Sequence, residues 1–308
     1  MKKLRLALIA GGKSGEREVS LKGAAEVAKV LDPQKYGVKR YDPATDLAKL
    51  AAEADSLDVA FILLHGPFGE DGTVQGFLDL LDIPYQGSGV LGSAIAMDKN
   101  LAKILYRNAG LKVPEWYMAA QDDIDNPSKI LGHLGLPLVI KPANQGSSLG
   151  MTIARSEEDI AEGLKKAFAI DHKVMVEEFI SGREITGGVL GNDALTALPL
   201  VEIIPGDEYE FFDYEAKYQP GATKEICPAE LDEPLTVRAQ NCALAAHRAL
   251  QLRGYSRTDM IISNDDIYIL ETNTIPGMTP TSLLPQAAAA AGLDFSALLD
   301  RLIELALE

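Results

Sequence analysis

The first third of this 308-residue chain alternates strand and helix patterns, and its strand patterns run straight into glycine-rich turns. Leu4 to Ala10 predicts a buried strand and Glu16 to Leu31 a helix, with a second strand at Val59–Leu64 and a second helix at Thr73–Leu81. Short apolar runs separated by helices require a parallel sheet covered on both faces, because each crossover returns the chain over one face. Ligands of such sheets bind at the carboxyl ends of the strands. Gly11-Gly-Lys-Ser-Gly-Glu16 and His65-Gly-Pro-Phe-Gly-Glu-Asp-Gly72 both fall there.

A chain of this length exceeds one compact core and suits two or three domains. Hydrophobic residues at 47% and charged residues at 24% are the balance of a globular protein. The formal net charge of -16 argues against nucleic-acid partners, whose phosphates would be repelled. It does not exclude a nucleotide held by local cations. Cys227 and Cys242 lack metal-ligand spacing and make no disulfide framework, which points to a reducing compartment. The apolar start is short, is broken by Arg5 and meets Gly11-Gly12, so it reads as a strand and not a targeting segment. No apolar run approaches the ~20 residues that span a bilayer. The expectation is a cytoplasmic protein without membrane contact.

A second unit is expected from Met97-Asp98-Lys99, where Leu101, Ile104 and Leu105 have helical spacing and Gly110 a stop. Leu138–Lys141 and Val174–Ile180 are predicted strands, and Ser156 with Asp159 opens a helix as a capping box. A third unit has predicted strands at Ile185–Leu190 and Ala194–Ile204, a polar, aromatic loop from Pro205 to Ala222, and a helix over Glu233–Leu252. Strands Tyr255–Ile262 and Ile267–Glu271 are joined by a turn at Ser263–Asp266. Ala287–Ala291 is helix filler, and Leu298, Leu299, Leu302, Ile303 and Leu305 face a core. The expected domains are 1–96, 97–181 and 182–308.

Four segments carry chemistry. Lys141-Pro-Ala-Asn-Gln-Gly-Ser-Ser-Leu-Gly150 offers closely spaced backbone N–H groups and a lysine to an anion, and equally suits a turn between strands. Asp259, Glu271 and Asn273 sit where a hairpin can bring two strands together, and two carboxylates with an amide oxygen suit Mg2+. The alternative is a pair of exposed edge charges. Glu177-Glu-Phe-Ile180 with Gly182-Arg-Glu184 is a strand edge able to border a purine, or an ordinary strand end. Phe211-Phe-Asp-Tyr-Glu-Ala-Lys217-Tyr218 lies in the long loop, which would close over the site or pack down on its aromatics.

In this order, the segments resemble the D-alanine–D-alanine ligases of the ATP-grasp superfamily, and the resemblance covers nearly all of the chain. It is carried by Gly11–Ser20, His65–Gly72, Met97–Lys99, Lys141–Gly150, Asp213–Tyr218, Arg257-Thr-Asp259 and Glu271–Ser282. The resemblance implies an α/β (α+β overall) ATP-grasp fold. Its parts would be an N-terminal doubly wound parallel-sheet domain, a small central α+β domain and a larger C-terminal α+β domain. It also implies ligation of two D-alanines by ATP through a D-alanyl phosphate, in peptidoglycan precursor synthesis, by a homodimer.

Residue by residue, the resemblance places Lys99, Lys141, Ser148, Phe211 and Lys217 at ATP. Glu177, Phe179 and Ile180 would border the adenine and Glu184 the ribose. Asp259, Glu271 and Asn273 would hold two Mg2+ (or Mn2+) ions. Glu16 would take the first D-alanine's ammonium with His65 nearby, in a chain with Ser147 and Tyr218. Arg257 and the Gly277 N–H would stabilise an oxyanion, and Ser282 and Leu283 would receive the second D-alanine's carboxylate. Glu70 is read as structural. Tyr218 belongs to the amide-forming pattern, which implies D-alanine as acceptor. The rivals are a ligase for another acid–amine or acid–hydroxyl pair, a non-catalytic nucleotide-binding protein, and a nicotinamide oxidoreductase. The last is discounted because Gly11-Gly-Lys-Ser-Gly does not fit G-x-G-x-x-G.

Overall fold

A computed structural model describes residues 3–146, 149–206 and 223–308. In chain order its elements are β1 Leu4–Ile9, α1 Arg17–Val30, β2 Tyr36–Tyr41, α2 Leu47–Ala52, β3 Val59–Ile62, α3 Thr73–Leu80, α4 Val90–Met97 and α5 Lys99–Asn108. There follow β4 Trp116–Ala119, α6 Ser128–Leu131, β5 Leu138–Pro142, β6 Thr152–Ala154, α7 Glu157–Phe168, β7 Val174–Glu178 and β8 Arg183–Gly191. The chain ends with β9 Thr196–Ala197, β10 Val201–Pro205, β11 Thr223–Ile226, α8 Glu233–Ala249, β12 Gly254–Ser263, β13 Asp266–Asn273, α9 Leu283–Ala290 and α10 Phe295–Leu307.

The first sheet is parallel, in the order β2-β1-β3. Strand period two divides β1 between two cores. Leu6 and Leu8 pack with Ala24 and Val27 of α1 and with Leu298, Leu302 and Ile303 of α10. Ala7 and Ile9 pack with Leu50 of α2 and Val74 and Leu78 of α3. Helices therefore cover both faces, as the unbroken apolar run required. Because α10 closes one face, the carboxy-terminal residues are part of the first sheet's core.

The central sheet, β4-β7-β5-β6, is antiparallel and lies under α7, with Ile160 and Leu164 against Leu138, Ile140 and Val176. Ser156 accepts the Asp159 N–H at 3.2 Å, as the capping pattern predicted. The third sheet runs β11-β10-β8-β12-β13, with β9 beside β8. Its hairpin turn has Asn264 and Asp265 at φ 48° and 67°, the left-handed pair that matches strand twist in a two-residue connection.

One expectation is corrected. The strand predicted over Ala194–Ile204 is split into β9 and β10, because Pro199 between them has no N–H for a ladder. Helix α5 forms where the spacing of Leu101, Ile104 and Leu105 predicts it; Leu101 and Ile104 are exposed, and Leu105 packs against the core. The buried side carries Lys99, Ala102, Lys103 and Tyr106, and the Tyr106 hydroxyl bonds Thr272 Oγ1 at 2.7 Å. Polar partners on β7 and β13, not hydrophobic burial alone, set the rotation of this helix.

Candidate functional site

A cleft open to solvent lies between the central and third sheets, with about 870 Å³ of empty space that includes the solvent at its mouth. Lys99, Lys141, Glu177, Phe179, Ile180 and Glu184 line it, together with Asp259 and Glu271. Six sequence-predicted nucleotide residues and two predicted metal ligands thus face one space. Val139, Ile153 and Leu270 supply apolar wall between them.

Register explains the convergence. Lys141 lies on β5 beside β7, and its ammonium pairs with Glu177 Oε1. Lys103 of α5 reaches Glu177 Oε2 at 2.8 Å from behind, outside the angles of a directed hydrogen bond, so this contact is chiefly coulombic. Burial pushes the Glu177 carboxyl up, but the two ammonium groups outweigh it and hold it below the usual carboxylate range. Lys99 begins α5, donates to the Gln145 carbonyl at 2.7 Å and lies 3.3 Å from Glu271 Oε2.

On the hairpin, Asp259 is the register partner of Glu271, and Arg257 of Asn273. A bulge after Asp259 breaks the ladder beside them. Asp259 accepts two hydrogen bonds from Arg257, at 2.9 and 2.7 Å, one from Thr186 at 2.7 Å and one from Asn273 Nδ2 at 3.1 Å. Burial opposes the charge on Arg257, yet Asp259, Glu271 and Glu70 together keep the guanidinium firmly protonated. The donor set is two carboxylates and an amide oxygen on one face of a hairpin, which is hard-oxygen chemistry of the type Mg2+ takes. Arg257 and Lys99 occupy the cationic surroundings of these carboxylates. The donor types fit the metal, while among the described residues no three His, Cys, Asp or Glu side chains gather as a metal group.

At the other end of the site, three loops meet at Glu16. A Cβ on Gly66 would lie 2.7 Å from Glu16 Oε2, and one on Gly146 3.0 Å from the same oxygen. Glu16 is the N-cap residue of α1 and makes no side-chain capping hydrogen bond there. The β1 loop is shaped by Asp42, which accepts the Gly12 N–H at 2.9 Å and pairs with Arg17 at 2.6 Å. Glu16 and His65 are buried. Burial pushes His65 down against the pull of Glu16, leaving a neutral imidazole. Glu70 accepts the Gly66 N–H at 2.8 Å and the Ile275 N–H at 3.4 Å. Burial, then Glu16, pushes it up to about 8. Gly277 lies against Ser282, which accepts the Thr279 N–H at 3.1 Å at the start of α9. The Leu283 side chain is buried in the core shared with α10, which leaves only its backbone N–H available.

Two family descriptions match this chain. Residues 105–304 match the D-ala D-ala ligase C-terminus, and residues 39–88 match the D-ala D-ala ligase N-terminus. The chain belongs to the D-ala D-ala ligase family. It is 62% identical over 308 residues to a D-alanine--D-alanine ligase of Desulfotalea psychrophila, covering 99% of this chain and 96% of that one. A D-alanine--D-alanine ligase from Bacillus anthracis, solved in complex with ATP, superposes with a TM-score of 0.85 at 36% identity, covering 99% of this chain and 97% of the other. A D-Ala:D-Ser ligase from Enterococcus faecalis does so with a TM-score of 0.85 at 32% identity, covering 99% and 100%. The mixed α/β ATP-grasp architecture expected from the sequence is borne out.

Among the residues predicted for this ligase-family site, Ser147, Ser148, Phe211, Lys217 and Tyr218 lie outside the described residues, as does most of the Pro205–Ala222 loop. Sequence reasoning missed Lys103, Asp42 and Thr186. A signal for Lys103 was present: it follows Lys99 by four residues, so a helix starting at Asp98 sends both lysines to one side.

Proposed function

We infer that this chain ligates two D-alanines with ATP, through phosphorylation of one carboxylate and attack by the amine of the other. The single observation that carries this reading is the cleft shared by Lys141 and Glu177 from the central sheet and Asp259 and Glu271 from the third. Phosphoryl transfer to a carboxylate brings like charges together, so the site must supply cations and hold the reactants in line.

In this reading Lys99 and Lys141 take nucleotide phosphates, while Phe179, Ile180 and Glu184 border adenine and ribose. Asp259, Glu271 and Asn273 would hold two Mg2+ (or Mn2+) ions. When bound, the metal neutralises phosphate charge beyond what two lysines provide. Glu16, with neutral His65 beside it, receives the ammonium of the first D-alanine. The amine of the second attacks the acyl phosphate carbonyl, and phosphate leaves from the tetrahedral intermediate. Arg257 and the Gly277 N–H stabilise the oxyanion, and the first turn of α9 at Ser282 and Leu283 takes the second carboxylate. Ser147 and Tyr218 complete the chain to Glu16, with Ser148, Phe211 and Lys217 on the nucleotide side.

The division into 1–96, 97–181 and 182–308, a homodimer, a cytoplasmic location and a role in peptidoglycan precursor synthesis belong to the same reading. Among the described residues no helix is long and apolar enough to cross a membrane. The test is ADP release with ATP, Mg2+ and a panel of D-alanine, D-serine and D-lactate, with products identified by mass spectrometry. D-alanyl-D-alanine as the main product supports the reading. ADP release independent of D-alanine sinks it.

A further inference from the structure

Glu177 is ion-paired to two lysines, and the two are not equivalent. Its side chain is 3% exposed, that of Lys141 12%, and that of Lys103 0%. Lys141 comes from β5, lines the cleft and stands at the base of the glycine-rich loop. Lys103 comes from α5, does not line the cleft, and sits behind the carboxylate with its ammonium 5.9 Å from the Trp116 ring. Each holds a different oxygen: Lys141 is on Oε1 and Lys103 on Oε2.

We propose that Lys103 is a positioning residue for nucleotide binding: it is the standing counter-ion of Glu177, which lets Lys141 leave that carboxylate for a nucleotide phosphate. The proposal rests on the cleft being the ATP site. One carboxylate between two ammonium groups carries a net positive charge, and removing the outer ammonium leaves a balanced buried pair. Without Lys103, the same movement would strand an ionised Glu177 in a buried position, so Lys141 would be held back. A buried carboxylate that stays ionised and fixed in place also keeps its acceptor oxygens aimed into the cleft.

The fold supports a fixed role. Lys99 and Lys103 are one helical turn apart, and α5 therefore delivers ammonium groups to Glu271 and Glu177, two acidic positions of the same cleft. Asp98 caps the helix by accepting the Asn100 and Leu101 N–H groups, both at 3.1 Å. Tyr106 anchors its third turn to Thr272. A helix secured at both ends presents Lys103 at a set height. Lys141, on a strand end next to a glycine-rich loop, has the cleft in front of it.

The experiment measures KM for ATP, KM for D-alanine and kcat in Lys103→Met, Lys103→Arg, Glu177→Gln and the Lys103→Met/Glu177→Gln double variant. Loss of a buried charge partner predicts that Lys103→Met raises KM for ATP by about tenfold or more. Its kcat and KM for D-alanine should stay within about threefold of wild type, and Lys103→Arg should recover most of the loss. In the Glu177→Gln background, adding Lys103→Met should change KM for ATP by less than about twofold, since no carboxylate remains to balance. A purely architectural lysine would lower thermal stability and leave that ATP-specific split absent. A wild-type KM for ATP in Lys103→Met, with a raised one in Glu177→Gln, would overturn the proposal alone. If Lys103→Met does not fold, the Glu177→Gln background decides, and a further tenfold loss there would show that Lys103 acts without Glu177. An unchanged KM for ATP in a further variant, Lys141→Met, which takes away the lysine placed at the phosphate, would remove the cleft as the ATP site and the proposal with it.

Discussion

The two ends of the site solve opposite electrostatic problems. At the proposed nucleotide end three acidic side chains of the cleft wall each meet a cation: Glu177 has Lys103 and Lys141, Asp259 has Arg257, and Glu271 has Lys99. At the proposed amino-acid end Glu16 and Glu70 lie near each other beside His65, whose imidazolium burial disfavours, and Glu70 is pushed up to about 8. The first arrangement holds cations in reserve for an anion, since Lys99 and Lys141 line the cleft and can turn from a carboxylate to a phosphate while Lys103 stays behind Glu177. In the second, burial and the Glu16 charge keep Glu70 largely protonated near neutral pH, so the Glu16 carboxylate is the group left to meet an incoming ammonium. Ligand charge is thus written into the balance of each end.

The comparison breaks most visibly at Arg257, which lies between the two ends. Arg257→Ala should lower kcat by about 100- to 1,000-fold if its guanidinium meets a developing oxyanion, with the Kd for ATP held within about threefold. Coupled ADP-release kinetics and nucleotide titration separate these. An equal loss of ATP affinity would assign Arg257 to the nucleotide end as the partner of Asp259 alone. Next in size is Glu16→Gln, which removes charge from the acidic end. It should raise KM for the first D-alanine by about 10- to 100-fold and leave the Kd for ATP unchanged. A shift in ATP affinity of the same size would mean that the two ends are not separate.

How much of this was legible in the sequence differs between the same two ends. The alternating elements predicted the parallel sheet because hydrophobic period and turn residues act locally. The hairpin was legible for the same reason: Asp259 and Glu271 flank a short turn, and antiparallel pairing then makes them register partners. Lys103 was hidden because helical spacing alone does not say which side of α5 turns inward, while a polar contact 74 residues away on β7 decides the rotation. Asp42 was hidden because its partners, Gly12 and Arg17, come from another crossover of the first sheet. Local pattern names the elements, and contacts distant in sequence decide which side each one turns.

Smaller effects sharpen the acidic end. Gly66 has φ 69°, and an added Cβ would stand 2.7 Å from Glu16 Oε2. Gly66→Ala therefore combines a left-handed backbone penalty with a displaced carboxylate, and should cost about 1–2 kcal/mol in thermal unfolding. KM for D-alanine should rise while the Kd for ATP stays put. A fully stable variant with normal D-alanine kinetics would show that the three loops do not hold Glu16 in place.

The smallest expected effect lies at Asp42, which supports the glycine-rich loop from behind. The Arg17 guanidinium, helped by the Gly12 and Ala44 N–H groups, lowers its carboxyl from 3.8 to about 2. A carboxyl held lower in the folded state than in the unfolded chain binds its proton later on acidification. Its stabilisation is therefore complete above about pH 4 and is lost as pH falls towards about 2. Arg17 is partly exposed, so screening should keep the contribution below about 1 kcal/mol. Asp42→Asn lacks it at every pH, and the stability gap to wild type should narrow as pH is lowered through that window in denaturant titrations. A gap that holds constant or widens would mean that the asparagine fails through loop geometry rather than charge, and that the first loop owes its shape to hydrogen bonds alone.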